Sequence, residues 1–275
     1  VLLTKSTCRW SSTTRLVMAA AAAASALVLA ACGSGAGTSP SSTSASSTPS
    51  AVPSTFAPTT VRLLTHDSFA LTEWLLDDFE ARTGITVEVV TGGDAGELVN
   101  KAALTAGNPE GDVLFGVDST LLSRALQSGV FDPYESPAAS GVPSELKAAT
   151  QESVTPVDYG DVCINVDDAW FAEKGVAKPA TLDDLVKPEY RDLLVVENAA
   201  TSSPGLAFLL ATVATYGEDG YLDYWSKLRA NGVKVVNGWT EAYEGEYTVG
   251  GKGSRPLVVS YASSPPAEIV YASDP

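Results

Sequence analysis

The chain has 275 residues, 45% hydrophobic, with 33 acidic side chains against 17 basic ones, enough to bury a large core in one domain or two lobes. A net charge of −16 argues against nucleic acid, which needs clustered Lys and Arg. One histidine and three cysteines, with no CxxC or HxxxH, give little support to a zinc site.

The first 58 residues are a different kind of sequence. Their only charges are Lys5, Arg9 and Arg15, followed by an apolar run from Leu16 to Ala31 interrupted by Ser25. That run is short of the roughly 20 residues of a membrane span and fits the core of a signal peptide. It ends Leu29-Ala30-Ala31-Cys32-Gly33. From residue 33 to 58 the chain is almost entirely Gly, Ala, Ser, Thr and Pro, which cannot repay the entropy of ordering. The expectation is a leader over 1–32, a disordered tether over 33–58 and an extracytoplasmic folded part. Only Cys163 remains in that part, inside the apolar run Val162-Cys163-Ile164, so no disulfide forms within it.

Strand-like and helix-like patterns alternate from there on. Val61–Thr65 predicts a strand, Phe69 to Arg82 a helix ended by Gly84, and Ile85–Val90 a β-branched strand. Thr91-Gly92-Gly93-Asp94 is a turn into a helix over Glu97–Ala106, followed by a strand at Asp112–Val117 and a helix over Thr120–Gln127. Such alternation predicts a parallel sheet covered by helices. Val154–Val166 is an extended connector around Pro156-Val157-Asp158-Tyr159-Gly160. A second block follows: a helix near Leu182–Val186, a strand Leu193–Val196, helices Gly205–Tyr216 and Gly220–Ala230, a strand Val233–Val236, a helix near Thr240–Tyr247 and a strand Leu257–Tyr261. The fold class is α/β, in two lobes over 59–156 and 157–275 with a hinge near 154–166 and a ligand cleft between them.

Several chemistries can be weighed on single residues. A hydrolase would have to rest on His66 alone, and no G-x-S-x-G elbow is present. Gly250-Gly251-Lys252-Gly253-Ser254 lacks the phosphate-loop spacing and reads as a solvated turn. Asp77-Asp78, Asp167-Asp168 and Asp183-Asp184 are sequence neighbours, read as surface charges or caps. More informative are the polar and aromatic residues at strand ends: His66-Asp67-Ser68, Gly93-Asp94, Gly116-Val117-Asp118, Thr201-Ser202-Ser203-Pro204, Gly238-Trp239 and Ser260-Tyr261-Ala262-Ser263-Ser264. Carboxyl ends of strands border the ligand crevice in open α/β sheets. Carboxylates, hydroxyls and aromatic faces together suit a small cation with an aromatic ring.

Thr65-His66-Asp67-Ser68-Phe69, Asp158-Tyr159-Gly160, Thr201 to Leu206, Gly238-Trp239-Thr240-Glu241-Ala242-Tyr243 and Ser260 to Pro265 resemble, in order and spacing, the thiamine-binding proteins of bacterial ABC importers. The G-W-[ST]-E-A-Y and S-Y-x-[ST]-S-P pair is the specific part. The residues ending Leu29-Ala30-Ala31-Cys32 likewise resemble a lipobox, which implies acylation of Cys32 and a lipid anchor at the outer face of the cell membrane. The resemblance implies a two-lobed, type II periplasmic-binding-protein fold that closes over thiamine or its phosphates without chemistry or a cofactor. It also implies a monomer delivering its ligand to a permease and an ATPase. By the same resemblance Asp94, Ala95, Ser202, Ser203, Trp239, Tyr261, Ala262, Ser263 and Ser264 contact the ligand, with His66, Asp67, Trp74 and Tyr159 as weaker candidates for the cleft wall. His66, Ala95 and Ala267 stand where relatives often carry tyrosine, glycine and an aromatic residue. Relatives continue beyond the segment like Ser260–Pro265, so the chain resembles a fragment whose first lobe is expected to be under-covered. A ferric-iron receptor using Tyr261, and a secreted hydrolase using His66, are the competing readings.

Overall fold

The computed structural model describes residues 59–147 and 153–270. The expected leader, the expected lipidation at Cys32 and the expected tether lie outside the described residues.

Three parallel strands build the first sheet in the order β2-β1-β3: β1 (Thr59–Thr65), β2 (Ile85–Thr91) and a short β3 (Val113–Leu114). β1 pairs with β2 from Thr59↔Ile85 to Thr65↔Thr91, so both strands deliver their carboxyl ends to one edge. Helix α1 (Glu73–Thr83) crosses between them, and α2 (Ala95–Leu104) follows β2. Leu122–Gln127 forms α3 and Ser144–Lys147 a single turn, α4.

The second sheet has the order β4-β7-β5-β6, from β4 (Val162–Val166), β5 (Leu194–Glu197), β6 (Lys234–Val236) and β7 (Leu257–Tyr261). β4 runs antiparallel to β7, with Val162 opposite Tyr261, while β5 is parallel to both β6 and β7. Helix α5 (Asp168–Lys174) follows β4, α6 (Ser203–Ala230) follows β5 and α7 (Ser264–Val270) follows β7. Gly217, at φ 74° and ψ 170°, breaks α6 into the two helices that the sequence predicts. Only glycine adopts that backbone without strain.

Burial differs sharply between the sheets. Every residue of β5 is buried, as are the first four of β7, and Leu194, Val196, Leu257 and Val259 pack with Phe171, Phe208, Tyr224 and Leu228. In β1 only Thr65 is buried, and no residue of β2 is. Leu71, Trp74 and Leu104 stand 46%, 61% and 88% exposed around the first sheet, which is under-covered as the sequence leads one to expect.

Some boundaries need correction. α1 begins at Glu73 rather than Phe69, because the Phe69 ring turns back to pack on Phe115 (centroids 5.2 Å apart) and His66. The strand expected over Asp112–Val117 pairs with β1 only at Val113 and Leu114. The helix expected near Leu182–Val186 is a 3-10 turn at Asp184–Val186, and that near Thr240–Tyr247 is a π-helical turn at Glu241–Glu246. Helices α5 and α7 have no counterpart in the sequence reading. Asp167 caps α5 by accepting from the Trp170 N–H at 2.9 Å, so a pair of neighbouring acids serves as a helix start.

Candidate functional site

The carboxyl ends of both sheets meet. Asp94 leaves β2 and caps α2, its Oδ1 accepting from the Ala95 N–H and its Oδ2 from the Trp239 N–H at 2.8 Å, across 145 residues of sequence. The N–H groups of Gly96 and Glu97 donate to the Thr201 carbonyl at 2.9 and 3.2 Å. The first turn of α2 is thereby seated on the loop between β5 and α6, its orphan amides taken by a carbonyl of the other sheet. Asp94 retains lone pairs for a third donor after these two bonds.

Gly96 permits this contact. A β-carbon there would stand 2.7 Å from the Thr201 carbonyl carbon, closer than van der Waals contact allows. Gly96→Ala is expected to lower stability by about 1–3 kcal/mol through overpacking, read as a fall in urea midpoint. Gly107→Ala, with open space around it, serves as the control and is expected to move the midpoint little; equal effects would show that the contact is not tight.

Trp239 is pinned at three points. Its N–H is held by Asp94, its Nε1–H donates to Ser260 Oγ at 2.8 Å, and its ring stacks on Tyr243 at 4.8 Å and 11°. Ser260 Oγ also lies 2.9 Å from Ser264 Oγ, so Ser264 acts from α7 as a support of this network. Tyr261 ends β7 with its hydroxyl 3.5 Å from Ser203 Oγ. Ala95 and Ser203 are buried, and Ser202 is 1% exposed with a hydroxyl that has no hydrogen-bond partner. Ala262 and Ser263 are exposed, Ala262 N–H donating to the Asp161 carbonyl at 2.9 Å.

The weaker candidates divide. His66 is half-buried between Phe69 and Phe115, with Nδ1 2.9 Å from Ser68 Oγ. Burial lowers its pKa, against the opposing influence of Asp94, Asp67 and Asp158. That packing suits a wall residue; among the described residues no carboxylate hydrogen-bonds the ring as a hydrolytic triad requires. Asp67 is exposed, its N–H donating to the Gly93 carbonyl. Trp74 and Tyr159 are 61% and 82% exposed. Gly160, next to Tyr159, does approach the site: a β-carbon there would lie 3.7 Å from the Tyr261 ring.

Two carboxyl groups join this site unannounced by the sequence reading of ligand contacts. Asp118 Oδ1 accepts from the Thr120 hydroxyl and from the Thr120 and Leu121 N–H groups, and its pKa is nonetheless raised by burial, with Asp94 adding to the rise. Glu197, the last residue of β5, is 1% exposed, and neither carboxylate oxygen has a partner on another residue. Burial pushes its pKa up to about 8 against the pull of its own backbone N–H, and Asp94 adds to the rise. Tyr261 is pushed up to about 12 by burial, with Asp118, Asp94 and Glu197 all adding to the effect. The signal for Glu197 was a charge set directly after the apolar run Leu193–Val196. Together these groups make a negative, aromatic-sided seam able to hold a cationic ring with hydrogen-bond donors.

Comparison with known proteins follows the same lines. A family model described as bacterial extracellular solute-binding protein matches residues 108–260. The chain is 31% identical over 224 residues to a thiamine-binding periplasmic protein of Brucella suis biovar 1 (strain 1330), covering 79% of this chain and 63% of that protein. It is 31% identical over 226 residues to the thiamine-binding periplasmic protein of Escherichia coli (strain K12), covering 78% and 64%. The chain thus spans a little under two thirds of these relatives' length. Among solved structures, a periplasmic thiamin binding protein superposes with TM-score 0.67 at 29% identity, covering 78% of this chain and 65% of that one. Iron-bound HitA from Pseudomonas aeruginosa, at TM-score 0.61 and 19% identity, shares the fold. The two sheets with their helices are therefore the two-lobed α/β architecture of periplasmic binding proteins.

Proposed function

We infer a thiamine-receptor role from a plain premise: the chain belongs to the family of bacterial extracellular solute-binding proteins. In this reading lobes over 59–156 and 157–275, hinged near 154–166, close over thiamine or a thiamine phosphate, and no covalent chemistry occurs. Cys32 carries the lipid that holds the receptor at the outer face of the cell membrane, and the bound ligand passes to the permease and ATPase of an ABC importer. Closure is a population shift, set by how much better the ligand binds the closed state.

The observation that carries the reading is the seam itself, where Asp94 holds the backbone of Trp239 and, with Asp118 and Glu197, lies within electrostatic reach of Tyr261. Thiamine is a permanent cation with an aminopyrimidine ring, so it needs negative charge, hydrogen-bond acceptors and π faces together. Trp239 and Tyr261 offer the faces. Asp94 and Ala95 sit beside the amine, and Ser202, Ser203, Ala262, Ser263 and Ser264 lie toward the hydroxyethyl or phosphate end, near the first turns of α6 and α7.

Titration of the full chain with thiamine is expected to give saturable quenching of tryptophan fluorescence. Trp239→Phe keeps an aromatic face but removes the N–H bonded to Ser260. It is expected to weaken binding about tenfold, of the order of one lost hydrogen bond, and to remove most of the quenching. A folded wild-type chain that does not respond to thiamine or its phosphates would overturn the reading.

A further inference from the structure

The Glu197 carboxyl, 1% exposed at the end of β5, has no hydrogen-bond partner on another residue and no ion pair among the described residues; only its own backbone N–H lies near it. A buried carboxyl without partners costs the protein stability, and each such group in a native fold calls for an explanation. Its position supplies one. The strand ends here, at the edge where α2 of the first sheet meets the loop into α6, and Glu197 lies within electrostatic reach of Asp94 and of the Tyr261 hydroxyl. Other buried side-chain atoms without a hydrogen-bond partner are the hydroxyls of Thr65 at the end of β1, Ser202 at the start of α6 and Thr240 beside Trp239, and Asn165 Oδ1 in β4.

We propose that Glu197 is a ligand-contacting residue of the cleft, whose carboxyl receives the cationic or amino group of an organic-cation solute and releases its own proton as that group seats. The proposal rests on the receptor reading above. The step is a proton exchange: the carboxyl O–H bond breaks, its electron pair stays on oxygen, and the proton passes to water. The new contact is an ion pair, with no covalent bond to the ligand. The groups within electrostatic reach of Glu197 are Asp94 from the head of α2 and Tyr261 from β7; Asp118 acts on both Asp94 and Tyr261, and His66 interacts with Asp94. All three carboxyl groups favour a cation. Burial, with a smaller contribution from Asp94, keeps Glu197 protonated near neutral pH until a cation arrives.

Calorimetric titration of the full chain with thiamine, between pH 7.0 and 8.0 in two buffers of different ionisation enthalpy, tests this. The window lies above the titration of His66, whose pKa is lowered. Wild type is expected to release about 0.9 of a proton per thiamine at pH 7.0, falling to about half a proton at pH 8.0, and to bind about fivefold more tightly across the window. Glu197→Gln is expected to release none, to bind with the same affinity across the window, and to fall about tenfold below wild type at pH 8. Glu197→Asp, which restores a carboxyl, is expected to recover proton release. Unchanged proton release in Glu197→Gln, or pH-independent binding by wild type without release, overturns the proposal and leaves the receptor reading standing. A folded wild type that binds no thiamine overturns both.

Discussion

Asp94→Ala is expected to lower the unfolding free energy by about 2–4 kcal/mol, combining a lost helix cap with a lost charge-assisted hydrogen bond. The carboxylate accepts from two N–H groups, that of Ala95 at the head of α2, after β2 of the first sheet, and that of Trp239 after β6 of the second. Asp94 and Ala95 are 8% and 4% exposed, so truncation leaves donors that water cannot easily reach. Asp94→Asn keeps one carbonyl acceptor and is expected to lose roughly half as much. Urea unfolding followed by tryptophan fluorescence reads the difference. Because the same carboxylate fixes the backbone of Trp239, thiamine affinity should fall with stability in both variants. An Asp94→Ala chain as stable as wild type would show that the bond across the sheets carries no weight.

Glu197→Gln is expected to do the reverse and stabilise the ligand-free protein. The folded-state pKa of Glu197 is raised to about 8 from an ordinary 4.5. As pH climbs above the ordinary value, the unfolded chain sheds this proton while the folded chain keeps it, so the group's contribution to stability declines across pH 4.5 to 8. Glutamine does not titrate and escapes that loss. The variant is expected to match wild type to within about 1 kcal/mol near pH 4 and to exceed it by about 2–4 kcal/mol at pH 8, a part of what the shift implies at roughly 1.4 kcal/mol per pH unit. Thermal melts at the two pH values measure it; a difference that does not grow with pH would contradict the burial described here. Greater stability with weaker binding is the behaviour of a residue kept for function. Asp94 and Glu197 thus sit side by side with opposite signs, one holding the sheets together and the other held by them at a cost.

Much of this was legible in the chain. The β-branched runs marked five of the seven strands closely, since Val, Ile and Leu at the centre of a sheet can hardly be anything else. The helical patterns over Gly205–Tyr216 and Gly220–Ala230 fall on either side of the break at Gly217, and α6 starts at Ser203, two residues before the expected Gly205. The polar clusters at strand ends were visible because they interrupt apolar runs. The short β3 and the late start of α1 were hidden, because what decides both is the packing of Phe69 against Phe115 across 46 residues of chain. α5 escaped notice because seven residues with one buried side chain, Phe171, carry too little periodicity to show.

What the sequence determined by itself is therefore whatever a local pattern enforces: the order of strands and helices, the caps, the acid excess and the set of residues at the strand ends. Tertiary structure alone decided which of those ends meet. Asp94 finds its second hydrogen-bond partner 145 residues away, and Glu197 is buried without a hydrogen-bond partner on another residue, within electrostatic reach of Asp94 and Tyr261. Partnership and its absence are properties of the packed interior, where water is excluded and each polar atom must be answered by another group. No stretch of chain read in isolation carries that information.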